Sequence, residues 1–227
     1  MRQMLKVAVM AAAVMTVSNA LAYEAGDWIF RGGLVNVAPD EDSEALNVAG
    51  VGKVPGTGVS VGDDTQIMLD LTYMATDTIG IELLAATPFE HTLKTQGLTD
   101  AGLVDVKLAT TKHLPPTMSA VWYPMGAGST FQPFLGIGVN YTYFFDEDVS
   151  GAASDALGAG NLQLDDSWGL VGRAGADFML SDCWSIHAGV YYMDISTDAK
   201  VNTALGKVTT SVDLDPWVYT VGLGYRF

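Results

Sequence analysis

The chain has 227 residues, of which 49% are hydrophobic, and a formal net charge of −15. Its mean hydropathy of +0.24 points toward a membrane, while a pI of about 4.2 points toward a well-solvated surface. The acidity argues against a nucleic-acid partner, because phosphate repels it, and the apolar content argues against disorder.

The chain opens on an export segment. Arg2 and Lys6 give a positive start, Val7–Val17 an apolar centre, and Ala20, Leu21 and Ala22 a small-residue cleavage site. A signal peptide over 1–22 and one barrel domain over 23–227 are therefore expected. The apolar centre is shorter than the about 20 residues that a spanning helix needs. No later run is long enough either, so a helical membrane protein is excluded. Cys183 is the single cysteine, which rules out an intrachain disulfide. An exported, hydrophobic chain without spanning helices suits a closed barrel, in which every backbone group is paired.

Eight segments alternate between apolar and small or polar residues: Trp28–Val37, Thr65–Met74, Ile79–Phe89, Thr117–Tyr123, Phe131–Phe145, Trp168–Leu180, Trp184–Ile195 and Val212–Phe227. In the fifth, Phe131, Leu135, Ile137, Val139, Tyr141, Tyr143 and Phe145 share one parity. The connections alternate as well. Ala75–Thr78, Pro124–Thr130 and Ser181–Cys183 are short; Ala38–Asp64, Glu90–Pro116, Asp146–Ser167 and Ser196–Ser211 are long loops. Short periplasmic turns and long outer loops are the rhythm of an all-β, eight-stranded antiparallel up-and-down transmembrane β-barrel with both termini in the periplasm. The final strand places Tyr219, Val221, Leu223, Tyr225 and Phe227 on one face, the pattern of a C-terminal signal for the barrel assembly machinery.

Several stretches carry a specific resemblance: Thr72–His91, His113–Pro116 (HLPP), Asn140–Asp146 (NYTYFFD), Asp166–Gly169 (DSWG), Tyr192–Ile195 (YMDI) and Leu214–Phe227. On these the mature chain resembles the outer membrane protein W family along almost its whole length. The resemblance implies an eight-stranded barrel with a narrow apolar interior, a conduit for small hydrophobic molecules with lateral release into the membrane. It also implies that some members serve as bacteriocin receptors.

Parity gives each strand a lipid face and a lumen face. A charge at the bilayer midplane costs roughly 2–4 kcal/mol, so charged residues belong inside. That rule places Arg31, Asp70, Glu82, Arg173, Asp177 and Arg226 in the periplasmic half of the lumen as a charged floor. They should pair, since an unpaired charge in a narrow barrel is costly. Two readings stay open: the cluster closes the lumen, or it merely fills a small barrel. Above it, inward parity gives Val35, Val37, Leu84, Ala86, Pro88, Phe144, Val171, Tyr191, Met193, Pro216 and Val218. A water-filled porin would place polar groups there. An apolar funnel for small hydrophobic ligands and a dry core without transport both fit. Pro88, Pro115, Pro116 and Pro216 cannot donate to a β-ladder, so they mark where a lateral exit could open.

Trp28, Trp122, Trp184, Tyr225 and Phe227 form one aromatic girdle and Tyr143, Phe145, Tyr192 and Trp217 the other. His91, His113 and His187 lack metal-ligand spacing, and no nucleophile motif accompanies them. No cofactor and no enzymatic activity are expected. Most of the 26 acidic residues fall in the outer connections, Asp100 and Asp105 among them, as an acidic skirt. Its default reading is a solvated face; divalent cations bridging it to lipopolysaccharide phosphates is the sharper one. The rival to transport is a receptor or structural barrel whose long acidic loops bind phage, bacteriocin or host factors.

Overall fold

The protein is described by a computed structural model covering residues 23–97, 107–125, 129–204 and 206–227. The expected export segment 1–22, the acids Asp100 and Asp105, and the middle of the turn Pro124–Thr130 lie outside these residues. In chain order the strands begin with β1 (Trp28–Ala38), β2 (Asp42–Ser43), β3 (Asn47–Val48), β4 (Gly52–Lys53), β5 (Gly58–Val61) and β6 (Asp64–Met74). They continue with β7 (Ile79–Ala86), β8 (Phe89–Gln96), β9 (Lys107–Leu114), β10 (Thr117–Trp122) and β11 (Phe131–Val149). One helix, α1 (Gly151–Leu157), follows. The remainder is β12 (Leu162–Leu164), β13 (Ser167–Met179), β14 (Trp184–Met193), β15 (Ser196–Thr203), β16 (Gly206–Asp213) and β17 (Trp217–Arg226).

Eight of these strands close a barrel in the order β10-β7-β6-β1-β17-β14-β13-β11, with β10 pairing β11. All the pairs are antiparallel, and the first and last strands join from Ile29↔Arg226 to Ala38↔Trp217. Closure leaves no edge, so every strand's backbone groups find a neighbour, as a lipid environment demands. The last residue is held on both sides: Trp28 donates its N–H to the Phe227 carbonyl at 3.0 Å and Phe227 returns one at 2.9 Å.

The outward face follows from period-2 alternation. Leu34, Leu69, Ile137, Leu170, Val221 and Leu223 are all more than half exposed, and no charge stands among them. Tyr219, Val221, Leu223, Tyr225 and Phe227 share that face. Trp28, Trp122 and Trp184 are exposed at the end with short turns, and Tyr143, Tyr192 and Trp217 at the other. These are the two aromatic belts of a membrane-spanning barrel.

Within the described residues, the long connections are largely strand. β11 runs past the barrel rim: its lower part pairs β10, from Leu135↔Trp122 to Asn140↔Thr117, and its upper part pairs β9, from Tyr143↔Leu114 to Val149↔Ala109. β8 and β5 extend that sheet. A second sheet, β12-β15-β16-β3-β4, faces it, with β2 also on β16. Threonine and valine make these strands: Val208, Thr209, Thr210 and Val212 in β16 are β-branched residues that suit a pleated surface. The capping helix α1 begins at Ser150, whose Oγ accepts from Ala153 N at 3.1 Å, and ends at Gly158 with φ +59°.

Two strand ends are corrected with it. The third barrel strand stops at Ala86 rather than Phe89, because the chain bends at Thr87 and Pro88 and Phe89 opens a new strand. The eighth starts at Trp217, and Val212 belongs to the extension, since Leu214–Pro216 breaks the strand, with Asp215 at φ +33°.

Candidate functional site

The floor is assembled by strand register. Arg31 on β1 lies directly opposite Asp70 on β6, Glu82 on β7 opposite Thr72 on β6, Arg173 on β13 opposite Tyr191 on β14, and Asp177 opposite His187. All point inward and all are buried. Arg31 is the hub. Its Nη1 donates to Asp70 Oδ1 and to Thr72 Oγ1, both at 2.8 Å. Its Nη2 donates to Asp177 Oδ2 at 2.7 Å and to Tyr123 Oη at 2.9 Å. Tyr23 Oη also donates to Asp177 Oδ2, at 2.7 Å, so the segment before β1 reaches into the lumen from below. Arg173 is ion-paired with Glu82, and its guanidinium lies between the Phe134 and Tyr191 rings, 4.6 and 4.5 Å from their centroids. Beneath the ions, Ile29, Met74, Val121, Tyr123, Phe134 and Met179 fill the lumen with Tyr23.

Five of the six expected floor residues thus meet, and Arg226 does not. It sits at the rim, where its Nη1 donates to Asp27 Oδ2 at 3.3 Å in a partly exposed pair. Water is within reach there, so nothing drives the charge inward. Tyr23, Tyr123, Thr72, His187 and Thr220 complete the floor without having been counted in it. Tyr123 and His187 have inward parity, which is a usable signal; Tyr23 precedes the first strand and offers none.

Asp177 Oδ1, His187 Nδ1, His187 Nε2 and Thr220 Oγ1 stand in line at 2.7 and 3.2 Å. That is the hydrogen-bond order of a nucleophile triad. Asp177 also serves Arg31 and Tyr23, and Thr220 lines neither of the cavities below, so the line braces the floor.

Directly above the ions the lumen becomes hydrocarbon. Val35, Val37, Leu84, Phe144, Val171, Tyr191, Met193 and Val218 are buried together with Met68, Phe89 and Ile195, and Ala86 packs against them. The exception among the expected residues is Pro88, which is exposed. The bend at Thr87 shifts the parity by one residue, so Phe89 turns inward in its place.

Higher still, between the two sheets of the extension, lies a cavity of about 320 Å³. Its walls are almost wholly apolar, from Val48 and Val59 through Leu93, Leu108 and Ala109 to Val208 and Val212. At its base stand His91 and His113, with ring centroids 4.9 Å apart and planes nearly parallel. His113 also stacks on Phe89 at 5.2 Å and meets Phe144 at 5.7 Å. His91 Nδ1 is 2.5 Å from the Gly62 carbonyl, so this nitrogen carries the proton it donates. Burial pushes both imidazoles down, His113 to about 3 with help from its neighbour His91, so both are neutral at pH 7.

The wall is interrupted beside His113. Pairing between β7 and β10 stops at Leu84↔Thr117, and pairing between β8 and β9 begins at Phe89↔His113. Ala85–Pro88 and Leu114–Pro116 face each other across that step. Asn140 Nδ2 donates to the carbonyls of Pro115 and Pro116 at 3.1 and 3.3 Å, and these also accept from Thr117 Oγ1 and Tyr141 N, at 3.0 and 3.1 Å. A second cavity, of about 20 Å³, lies here, lined by Ala85, Ala86, Phe89, His113 and Pro115 among others. Pro216 lines both cavities but not a break: its carbonyl accepts from Met193 N at 3.2 Å, and the ladder resumes at Tyr192↔Trp217.

Comparison with known proteins agrees with this architecture. The family model described as the OmpW family matches residues 24–227. Outer membrane protein W of Escherichia coli K12 is 42% identical over 98% of this chain and 99% of its own length. The dibenzothiophene metabolism operon protein PahQ of Pseudomonas aeruginosa is 26% identical over 90% of each. The crystal structure of the outer membrane protein OprG from Pseudomonas aeruginosa superposes with a TM-score of 0.85 at 45% identity, covering 91% of this chain and 98% of that one. This chain, an integral β-barrel of the outer membrane, belongs to the OmpW family.

Proposed function

We propose that the protein is a conduit that takes small hydrophobic molecules from the outer face and releases them sideways into the membrane. The observation that carries this reading is the succession along one axis: an apolar cavity of about 320 Å³, a step in the barrel wall beside it, and an ion-paired floor below. An apolar solute gains by leaving water for the cavity, roughly 25 cal/mol for each Å² it buries. It has no straight way down, because the floor offers buried ion pairs over a packed apolar plug. In this reading the step between Ala85–Pro88 and Leu114–Pro116 faces the outer leaflet; it holds three prolines without donors, Pro88, Pro115 and Pro116. A relative named for a dibenzothiophene metabolism operon suits an apolar cargo. In this reading the short turns and both termini face the periplasm, and the C-terminal face from Tyr219 to Phe227 engages the assembly machinery.

Uptake of N-phenyl-1-naphthylamine by cells carrying the protein tests this. Met193→Lys, which puts an ammonium into the apolar cluster, should abolish both binding and uptake. Ala86→Trp, which fills the step, should leave binding in the upper cavity and stop uptake. Undiminished uptake in Met193→Lys would overturn the conduit, and undiminished uptake in Ala86→Trp would overturn the sideways exit.

A further inference from the structure

Among the described residues, the buried polar side-chain atoms around the upper cavity are hydrogen-bonded, with one exception. Thr57 donates to the Val54 carbonyl, Thr197 to Asp165, Thr203 to Gly206 and Thr210 to Glu44, each at 2.7–2.8 Å. His91 is tied to Gly62. Lys200, at the outer wall, is ion-paired with Asp165. His113 Nδ1 is the exception: it is buried and has no hydrogen-bond partner among the described residues. The His113 side chain is only 5% exposed and lines both the large cavity and the small one at the step.

An unpartnered polar atom in such a place is a cost that a ligand can remove. We propose that His113 is the specificity-determining anchor of the conduit, selecting uncharged apolar molecules that carry one hydroxyl or carbonyl oxygen over the bare hydrocarbon and over the corresponding carboxylate. A neutral imidazole holds one donor and one acceptor, so it serves either oxygen type. It brings no charge to offset a carboxylate's loss of water in this dry site. The stack on Phe89 and His91 fixes the plane of a ring that stands where the two cavities meet. A site built this way discriminates by the presence of the oxygen rather than by the size of the hydrocarbon.

This inference rests on the conduit reading, and its test separates the two. Binding of naphthalene, 1-naphthol and 1-naphthoate is measured by titration calorimetry on the protein in nanodiscs, against empty nanodiscs. The wild type should bind 1-naphthol about fivefold more tightly than naphthalene, the worth of one net hydrogen bond. It should bind 1-naphthoate more weakly than either. His113→Phe, which keeps the ring stack, should bring the naphthol-to-naphthalene ratio to about one. In the wild type, 1-naphthol but not naphthalene should shift the His113 Nδ1 resonance, a readout that holds even if the variant fails to fold. An unshifted resonance, an unaltered ratio in His113→Phe, or naphthoate binding as tightly as naphthol would overturn the anchor. If no probe binds above empty nanodiscs, the conduit itself falls; if naphthalene binds without any preference, only the anchor does.

Discussion

On four strands of the barrel, one or two steps along the inward face separate an ion from hydrocarbon. Asp70 is followed on that face by Met68, Glu82 by Leu84, Arg173 by Val171 and Arg31 by Val35. The floor and the space above it thus share the same walls and differ only in what the walls hold inward. The floor is held by directed bonds between residues far apart in sequence, and each of its ions has an opposite charge beside it. The upper region is held by contact alone and leaves volume unfilled. A packed ionic layer resists the loss of any one member, because each loss strands a charge; an apolar cavity tolerates loss, because it already contains empty space.

The sharpest way to break this contrast is to remove the hub. Arg31→Ala leaves Asp70 and Asp177 without their cation and should cost about 3–5 kcal/mol, read as a fall in the temperature at which the barrel loses its compact gel mobility. Met193→Ala, in the apolar cluster beside the small cavity at the step, should cost near the lower end of the about 2–5 kcal/mol range for such truncations. Equal losses from the two would contradict the distinction drawn between the layers.

A change of pH should separate the regions next. Burial holds His113 at about 3, so the folded extension keeps the ring neutral where an unfolded one takes up a proton. The stability this carries is complete above pH 6.5 and is lost as pH falls from there toward 3. Between pH 7 and pH 5 the loss is about 2 kcal/mol. Amide exchange in β8 and β9, corrected for its intrinsic pH dependence, should quicken over that range, and His113→Phe should reduce the effect to what His91 contributes. The smallest change is expected from Thr220→Val, which deletes the partner of His187 Nε2 and should cost about 1 kcal/mol. Probe binding in the upper cavity should not alter, since Thr220 touches neither cavity.

The barrel was legible because lipid enforces a strict alternation. A single polar residue on the outward face is costly, so Ile137, Leu135 and Val139 leave a clean pattern, and the same rule reveals Asp70 and Glu82 as inward. The extension escaped because water relaxes that rule. In β8, Phe89, His91, Leu93 and Thr95 are buried while Glu90, Lys94 and Gln96 are exposed, a period of two written partly in histidine and threonine. Counting only apolar residues hides it. Pro88 was misplaced by the same logic, since parity cannot be carried across a bend. The stacked imidazoles were invisible as a pair because only the register of β8 on β9, with Phe89 opposite His113 and His91 opposite Thr111, makes them diagonal neighbours.

The hub also sets an order of events. Arg31 meets Asp177 across 146 residues of chain, and Tyr23 meets it across 154. Both contacts join the start of the chain to β13 across the lumen, so they need the sheet curled into its barrel, a closure of long sequence separation that is slow for a chain to achieve. Before that moment the open sheet still gives its ions access to water; afterwards they are sealed in. The floor is therefore a latch that engages only on a completed barrel, and an incomplete one cannot counterfeit it.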